Sequence, residues 1–266
     1  MRELEANLDF DVEGFSREIQ GIFRTHQLAR QTETAITSLS LQQAYEIQKR
    51  CIAARVARGE STVGWKIGCT STAIQQQFGL AQPICGRILS PHTHDDGAKF
   101  RMSEFIDCAV EPEMVFQIGR DLSEDMDSED LRTAIAGISA GIELHNYRFW
   151  YGKPSSQELI ASNGIHAALV VGPRRELLPQ TDLDLEQVSI FVNSVLAAAG
   201  TGVEIMGGPL TSLRWLVLHL AGRGLRVRAG DLVIPGSAVK LVPVAAGDKV
   251  EARFASIGSC TATFRK

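Results

Sequence analysis

Two carboxylates stand two positions apart in the segment 109–116 (AVEPEMVF), which is otherwise apolar. In an extended strand alternate side chains share a face, so Glu111 and Glu113 point the same way while their neighbours point the other way. Two ionised carboxylates this close repel each other unless they are exposed to water, share a proton or hold a cation. The pair therefore fits two interpretations, a half-exposed strand with solvated glutamates or a site for a hard divalent cation such as Mg²⁺.

A third carboxylate, Glu143, favours the cation site. It follows a predicted helix near 128–139, which begins at Ser128 and whose apolar residues recur at helical spacing as Leu131, Ala134, Ile135 and Ile138. The small residues 137–141 then lead into a second extended segment, which we expect to begin at Glu143.

Lys66 is the fourth candidate for chemistry. It lies between Gly64 and Gly68 in an apolar, strand-like segment, where an ammonium group needs either water or an anion. A lysine at the end of a strand that extends its charge into solvent fits this segment as well as a lysine paired with a buried anion does.

These segments belong to a longer ordered series. The series covers roughly residues 40–264 and consists of 64–71 (GWKIGCTS), 110–113 (VEPE), 142–148 (IELHNYR), 200–202 (GTG), 207–210 (GGPL), 215–216 (WL) and 229–237 (AGDLVIPGS). As an ordered set it resembles the 2-keto-4-pentenoate hydratase and 2-oxo-dienedioate decarboxylase group of the fumarylacetoacetate hydrolase superfamily, and the set is far more specific than any one of its members.

The resemblance implies a role for each of the four residues above. Glu111, Glu113 and Glu143 would bind Mg²⁺ or Mn²⁺ and leave about three of six octahedral positions open for a chelating 2-oxo acid and water. Lys66 would be the catalytic lysine, either as an acid/base with a lowered pKa or as a fixed positive charge against the substrate carboxylate. We favour the fixed charge, because three nearby glutamates keep an ammonium group protonated.

The resemblance also indicates substrate-binding residues and departures from the family pattern. Asn163, Ser237 and Arg148 are the candidates for binding substrate, although Asn163 also fits a simple Asn-Gly turn. The chain departs from the usual family residues at Ser162, where the family has aspartate, at Asn146 and Tyr147, and at Pro235. The loss of a carboxylate at Asn146 would alter the choice of substrate.

The histidines carry a weaker signal. His92 and His94 lie in a segment of turn composition, where we expect exposed side chains rather than metal ligands. In a regular strand His145 shares a face with Glu143, so a hydrogen bond that supports the metal ligands is expected there. We interpret His166 as structural.

Helical periodicity marks the beginning of the chain. Ser40 and Gln43 fit a capping box at the start of a second helix, and Gly59 fits its end. Apolar residues recur at helical spacing in both predicted helices: Val12, Phe15, Ile19, Ile22 and Phe23 in the first, and Ala44, Ile47, Cys51 and Ala54 in the second.

From Ser61 onward the pattern changes to short strands and turns, interrupted by helices near 128–139 and 208–222. This predicts an α+β protein with a helical N-terminal portion at residues 1–60 and a strand-rich catalytic domain at 61–266. The resemblance implies that this domain is a mixed β-roll of the fumarylacetoacetate hydrolase C-terminal type, with its site at the mouth of the roll.

Composition excludes several classes of protein. The net charge is −4 and no dense Lys/Arg stripe occurs, which argues against a nucleic-acid surface. The five cysteines form no Cys-x-x-Cys pair, which favours reduced, packing thiols over a disulfide framework. The charged N-terminus has no signal-peptide core and no apolar segment reaches membrane-spanning length, so we expect a cytoplasmic protein without a membrane partner.

The favoured function is a metal-dependent hydratase that adds water to a 2-hydroxy-2,4-dienoate, giving a 4-hydroxy-2-oxo acid in aromatic-compound degradation. Three alternatives stay open: decarboxylation of a 2-oxo-dienedioate, hydrolysis of a carbon–carbon bond in a 1,3-diketo acid, and a non-catalytic partner subunit. The resemblance favours a homo-oligomer, and a pathway decarboxylase or hydratase is the alternative protein partner.

Overall fold

A computed structural model of the chain describes residues 11–26, 39–149 and 152–266. Its first two helices are α1 (Val12–Thr25) and α2 (Leu41–Ala57). The predicted capping box is confirmed, because Ser40 and Gln43 each satisfy a backbone N–H of the other. The expected stop is also confirmed, since Gly59 follows the helix with φ +99°, a conformation that favours glycine.

Four further helices follow, namely α3 (Thr72–Phe78), α4 (Ser128–Thr133), α5 (Ser156–Ala161) and α6 (Pro209–Ala221). Helix α6 confirms the helix predicted near 208–222. The helix predicted over 128–139 is too long, because residues from Ile135 onward form a strand. β-branched residues and Gly137 favour an extended backbone, and pairing with a long neighbouring strand stabilises it.

The strands in chain order are β1 (Thr62–Gly68), β2 (Ile84–Leu89), β3 (Thr93–Asp95), β4 (Ala98–Arg101), β5 (Cys108–Ile118), β6 (Ile135–Asn146), β7 (His166–Val171), β8 (Gln187–Val192), β9 (Val195–Thr201), β10 (Leu232–Ile234), β11 (Val242–Pro243), β12 (Lys249–Phe254) and β13 (Gly258–Arg265). They form two sheets. One has the order β2-β1-β10-β5-β6-β7-β3, with β11 also paired to β5, and the other has the order β4-β13-β12-β8-β9. Both parallel and antiparallel pairs occur, so the sheets are mixed, and together with the helices they make a mixed α/β fold.

The two faces of the first sheet are buried differently. One face joins the second sheet and α6 in the main core through side chains such as Trp65, Phe116, Ile142 and Val233. The opposite face carries a small apolar cluster of Ile88, Val115, Leu169 and Ile234. Because side chains alternate along a strand, Glu111, Glu113, Glu143 and Lys66 lie on the same face as this small cluster.

Helix α1 packs on α2, and α2 packs on α5. The buried residues Phe15, Ile19 and Ile47 of α1 and α2 share an apolar cluster with Leu159 and Ile160 of α5. The division of the chain at residue 60 stays a prediction. All five cysteines are free, and four of them are buried. Among the described residues no helix combines the length and the apolar character that crossing a membrane requires.

Candidate functional site

The three predicted metal carboxylates lie on the neighbouring antiparallel strands β5 and β6. Glu111 is directly opposite Glu143, and Glu113 is opposite Gly141. Glu143 lies near the end of β6, so the expectation that it begins its strand is wrong. Only 1% of the surface of Glu113 and of Glu143 is exposed. Like charges directly opposite in a sheet destabilise it, so this acidic centre, Glu111, Glu113 and Glu143, needs compensating positive charge.

Glu143 receives part of that compensation through one of its two oxygens. Its Oε1 lies 2.8 Å from Lys66 Nζ and 2.7 Å from His166 Nδ1, whereas its Oε2 faces His145 Nε2 at 3.5 Å. Burial by itself raises the pKa of Glu143, but the neighbouring His145, Lys66 and His166 outweigh burial and hold that pKa well below 4.5. Glu143 is therefore ionised.

Lys66 is buried rather than extended into solvent. Besides Glu143, its ammonium group donates to the carbonyl oxygen of Gly164 at 3.4 Å. Gly164 has φ +63°, and a Cβ there would lie 3.0 Å from Lys66 Nζ. Burial lowers the pKa of Lys66, but the charges of Glu143, Glu111 and Glu113 outweigh burial and raise it above 10.5. The surroundings therefore favour a fixed positive charge over a lysine base.

Glu113 is held by the turn after β10. The backbone N–H of Gly236 donates to Glu113 Oε2 at 3.1 Å. Gly236 has φ +115°, and a Cβ there would lie 2.6 Å from the side chain of Thr70, so the turn requires glycine. Burial and the charges of Glu143 and Glu111 raise the pKa of Glu113 well above 4.5. A raised pKa of this kind is expected for a buried carboxyl group that lies close to other carboxylates.

The donor atoms of the site suit a divalent cation. One oxygen from Glu111, one from Glu143 and one ring nitrogen of His145 lie within 4.8 Å of one another. Both ring nitrogens of His145 are buried and make no hydrogen bond with any described group. Buried polar atoms without partners are rare in folded proteins unless an ion or water satisfies them. The residues present therefore fit the metal that the sequence predicts, and the binding of that metal by Glu111, Glu113 and Glu143 stays a prediction.

The predicted substrate-binding residues occupy three different environments. Ser237 follows Gly236 in the turn that contacts Glu113, and its hydroxyl accepts from the N–H of Val239 at 3.2 Å. Arg148 is not brought to the acidic centre, since its side chain is 73% exposed and lies 2.9 Å from Asp107.

Asn163 is buried, and its amide group holds the backbone of β2. Its Oδ1 accepts from the N–H of Arg87 at 2.7 Å, and its Nδ2 donates to the Arg87 carbonyl at 2.9 Å. With φ +60° it also turns the chain ahead of Gly164. These contacts hold the backbone of β2 beside Lys66, and the binding of substrate by Asn163 stays a prediction.

The departures from the family pattern have local hydrogen-bond partners. Asn146 Oδ1 accepts from the N–H of Ile106 at 3.0 Å. Ser162 Oγ donates to the carbonyl of Glu158 at 2.8 Å, and the carbonyl of Pro235 accepts from Ser212 Oγ at 2.5 Å. The side chains of Asn146 and Ser162 therefore stabilise the backbone around the site, whereas the bond at Pro235 uses its backbone carbonyl.

His166 is the residue whose position sequence reasoning misses. The sequence suggests a structural histidine, whereas the side chain contacts Glu143 directly. A register shift between β6 and β7 places His166 opposite His145, and such a shift has no local sequence signal. His92 and His94, by contrast, are half-buried and lie outside the metal-compatible group found among the described residues.

Two cavities lie beside the site. One of about 650 Å³ extends from α1 and α2 to Asn146 and His166. The other, of about 570 Å³, is bounded by Thr70, Ser71 and Trp215, close to the Gly236 turn. Both have the size of sites that hold small organic molecules.

Comparison with models of known protein families shows to which family the chain belongs. Residues 92–265 match the model described as fumarylacetoacetate (FAA) hydrolase C-terminal. The chain belongs to the fumarylacetoacetate hydrolase C-terminal family. The fold is thus the mixed α/β fold with a curled sheet of this family, and the family recognised from the ordered motifs is confirmed.

Curated relatives cover most of the chain. The TodF product hydratase of Pseudomonas putida is 32% identical over 234 residues, which is 87% of this chain and 87% of the relative. A 2-keto-4-pentenoate hydratase of Burkholderia vietnamiensis is 32% identical over 222 residues, 83% of this chain and 85% of the relative.

A solved structure of the family also matches closely. The 4-oxalocrotonate decarboxylase from Pseudomonas putida G7, complexed with magnesium and adipate, superimposes with a TM-score of 0.90. It is 26% identical in sequence, and the match covers 95% of this chain and 97% of the decarboxylase.

Proposed function

We propose that the chain is a divalent-metal-dependent hydratase that adds water to a 2-hydroxy-2,4-dienoate and releases a 4-hydroxy-2-oxo acid. The observation that carries the proposal is the buried acidic centre, in which Glu143 contacts Lys66 and presents an oxygen beside Glu111 and His145. The hydratase names of relatives that are 32% identical over more than four fifths of the chain support it.

The reaction moves protons and adds one water. The 2-hydroxyl proton leaves, a proton is added at the far end of the diene, and the resulting unsaturated 2-oxo acid takes OH at C4 and H at C3. Nothing is oxidised or reduced. Glu111, Glu113 and Glu143 would hold a Mg²⁺ or Mn²⁺ ion, which would supply positive charge to stabilise the enolate form of the substrate.

The protein's own groups have separable tasks in this scheme. Lys66 provides a fixed positive charge toward the substrate carboxylate, because its pKa is raised and its position is set by Glu143. Ser237 donates a hydrogen bond to substrate, since its oxygen accepts from Val239 and its hydroxyl proton has no acceptor among the described residues. Asn163 acts through the backbone that it holds, and Arg148 contacts only a substrate tail that extends to the surface.

Decarboxylation of a 2-oxo-dienedioate is the second candidate. A specific observation favours it, namely the superposition on a 4-oxalocrotonate decarboxylase over 95% of the chain with a TM-score of 0.90. Loss of CO₂ from such a substrate passes through the same enolate, so the same charges stabilise both reactions. The two candidates differ in whether water is gained or CO₂ is lost.

The proposal also includes the β-roll architecture and the assembly of the protein into an oligomer. The two sheets form the β-roll of the family, with the helical N-terminal portion packed beside it. The protein assembles as a homo-oligomer, which the exposed Val195 and Leu196 on the edge strand β9 support. Exposed apolar side chains on an unpaired strand edge favour association with a second chain.

A substrate panel tests the function. Purified protein is incubated with 2-hydroxydienoates that have or lack a terminal carboxylate, with Mg²⁺ or Mn²⁺, and the products are identified by mass. The hydratase proposal expects the gain of one water that stops when EDTA removes the metal. Loss of CO₂ establishes the decarboxylase, cleavage into two acids establishes a hydrolase, and an unchanged panel favours a non-catalytic subunit.

A further inference from the structure

His145 is a buried group that the proposed chemistry leaves unused. Its side chain is on β6, two positions after Glu143 and on the same face of the sheet. Only 4% of the residue is exposed, and neither ring nitrogen makes a hydrogen bond with any described group. A buried imidazole without a hydrogen bond is costly, and carboxylate oxygens of the acidic centre lie close to its Nε2 atom.

The distances around His145 Nε2 match the spacing of ligands around one ion. This nitrogen lies 3.2 Å from Glu111 Oε2 and 3.5 Å from Glu143 Oε2. An ion with bonds of about 2.1 Å separates two of its ligand atoms by about 3.0 Å at right angles and about 3.4 Å at tetrahedral angles. The three atoms therefore converge as ligands do, although no hydrogen bond joins them.

Two of the remaining oxygens of the acidic centre, Glu143 Oε1 and Glu113 Oε2, have other contacts. Glu143 Oε1 contacts both Lys66 and His166, which leaves Oε2 as the oxygen that faces His145. Glu113 Oε2 accepts from the N–H of Gly236, and Glu113 is outside the convergent group. The imidazole of His145 thus lies beside the carboxylates of Glu111 and Glu143, at a position that the carboxylate of Glu113 does not take.

We infer that His145 is a ligand of the metal, so that the site combines one imidazole nitrogen with glutamate oxygens. This deepens the proposed function and rests on the metal that it requires. Imidazole suits first-row transition ions, whereas an all-oxygen site suits Mg²⁺. The site therefore selects Mn²⁺, Fe²⁺ or Co²⁺ over Mg²⁺ more strongly than three glutamates alone do.

Pulsed electron paramagnetic resonance of the Mn²⁺-loaded full chain tests this ligand directly. A nitrogen bound to Mn²⁺ gives a ¹⁴N coupling, which is expected in the native protein and absent in His145→Phe, a variant of similar ring volume without nitrogen. His166→Phe and the distant His94→Phe are the matched controls and are expected to keep the coupling. If His145→Phe does not fold, His145→Leu replaces it.

Calorimetric titration with Co²⁺ and with Mg²⁺ gives a second measurement. The ratio of Co²⁺ to Mg²⁺ affinity is expected to fall at least about tenfold in His145→Phe and to stay unchanged in His94→Phe. Native protein without ¹⁴N coupling, a coupling that survives in His145→Phe, or a failure to bind Mn²⁺ overturns the inference.

The product assay keeps the two proposals separate. A ¹⁴N coupling from His145 in a protein that converts no dienoate removes the hydratase function and leaves the ligand assignment intact. Hydrated product from a protein without that coupling removes the ligand assignment and leaves the hydratase function intact.

Discussion

Lys66 Nζ lies 2.8 Å from Glu143 Oε1, and both side chains are almost completely buried. Two opposite charges taken out of water stabilise a protein little by themselves, because their desolvation offsets their attraction. The pair also lies beside two further carboxylates, Glu111 and Glu113, which raise the pKa of the lysine. Such an arrangement fits a site that must place a permanent positive charge against an anionic ligand.

Replacing Lys66 with methionine tests that charge. Lys66→Met keeps most of the stem volume and removes the ammonium group, so we expect kcat for the dienoate to fall by about two orders of magnitude or more. Steady-state kinetics with Mg²⁺ or Mn²⁺ measure the effect.

The control for this variant is Lys49→Met, since the Lys49 side chain is 78% exposed. Turnover by Lys66→Met equal to that of the control would show that the buried ammonium group takes no part in catalysis. Circular dichroism establishes that both variants are folded.

The raised pKa of Glu113 predicts that the thermal stability of the metal-free protein depends on pH. Burial, with the charges of Glu143 and Glu111, raises the pKa of Glu113 above the 4.5 of an exposed glutamate. A carboxyl group with a raised folded-state pKa stabilises the fold fully below its unfolded pKa, and this contribution is lost as pH rises through the folded-state pKa. The Tm of metal-free native protein should therefore fall from about pH 4.5 upward relative to that of Glu113→Gln.

Thermal scans in EDTA across this pH range measure the difference. Glutamine retains an oxygen for the N–H of Gly236, so the variant loses the charge and keeps the contact. The exposed Glu124→Gln serves as the control and should follow the native curve. Parallel curves for native protein and Glu113→Gln would contradict the raised pKa.

Asn163→Ala should destabilise the fold. The change leaves the N–H and carbonyl of Arg87 without their partner and places alanine at φ +60°. Each unsatisfied backbone group costs about 1–3 kcal/mol when buried, so we expect the free energy of unfolding to fall by about 2–4 kcal/mol. Urea titration measures it, and an unchanged midpoint would return Asn163 to a role in substrate binding.

Ser237→Ala should weaken substrate binding and have little effect on stability. Its hydroxyl accepts one partly buried N–H, and its proton is available to substrate. One lost hydrogen bond of about 0.5–1.5 kcal/mol corresponds to a rise in KM of about two- to tenfold, with little change in Tm. Kinetics at saturating metal measure KM, and a large loss of Tm with unchanged KM would assign Ser237 to the turn alone.

Oxalate and metal should stabilise the protein synergistically. A chelating acid binds to the positions that the protein leaves open on the metal, so each ligand strengthens the binding of the other. A thermal-shift grid of Mg²⁺ or Mn²⁺ against oxalate is expected to give a combined shift larger than the sum of the separate shifts. The excess should shrink in Glu113→Gln, and additive shifts in native protein would argue for a non-catalytic subunit.

The sequence by itself determined the pair of Glu111 and Glu113 and the family. Alternation along a strand placed Glu111 and Glu113 on one face, and the ordered motifs identified the family that the match over residues 92–265 confirms. Local signals also fixed the capping box at Ser40 and the stop at Gly59. Such features depend on residues a few positions apart, so the chain encodes them without reference to the rest of the fold.

Tertiary structure decided which polar groups meet. The pairing of β5 with β6 ended the predicted helix at Thr133 and set Glu143 opposite Glu111. A register shift in the next pair brought His166 to Glu143, and the turn at Gly236 reached Glu113 from a distant part of the chain. Sheet register depends on the burial of whole faces and on turn geometry, so no short segment specifies these contacts.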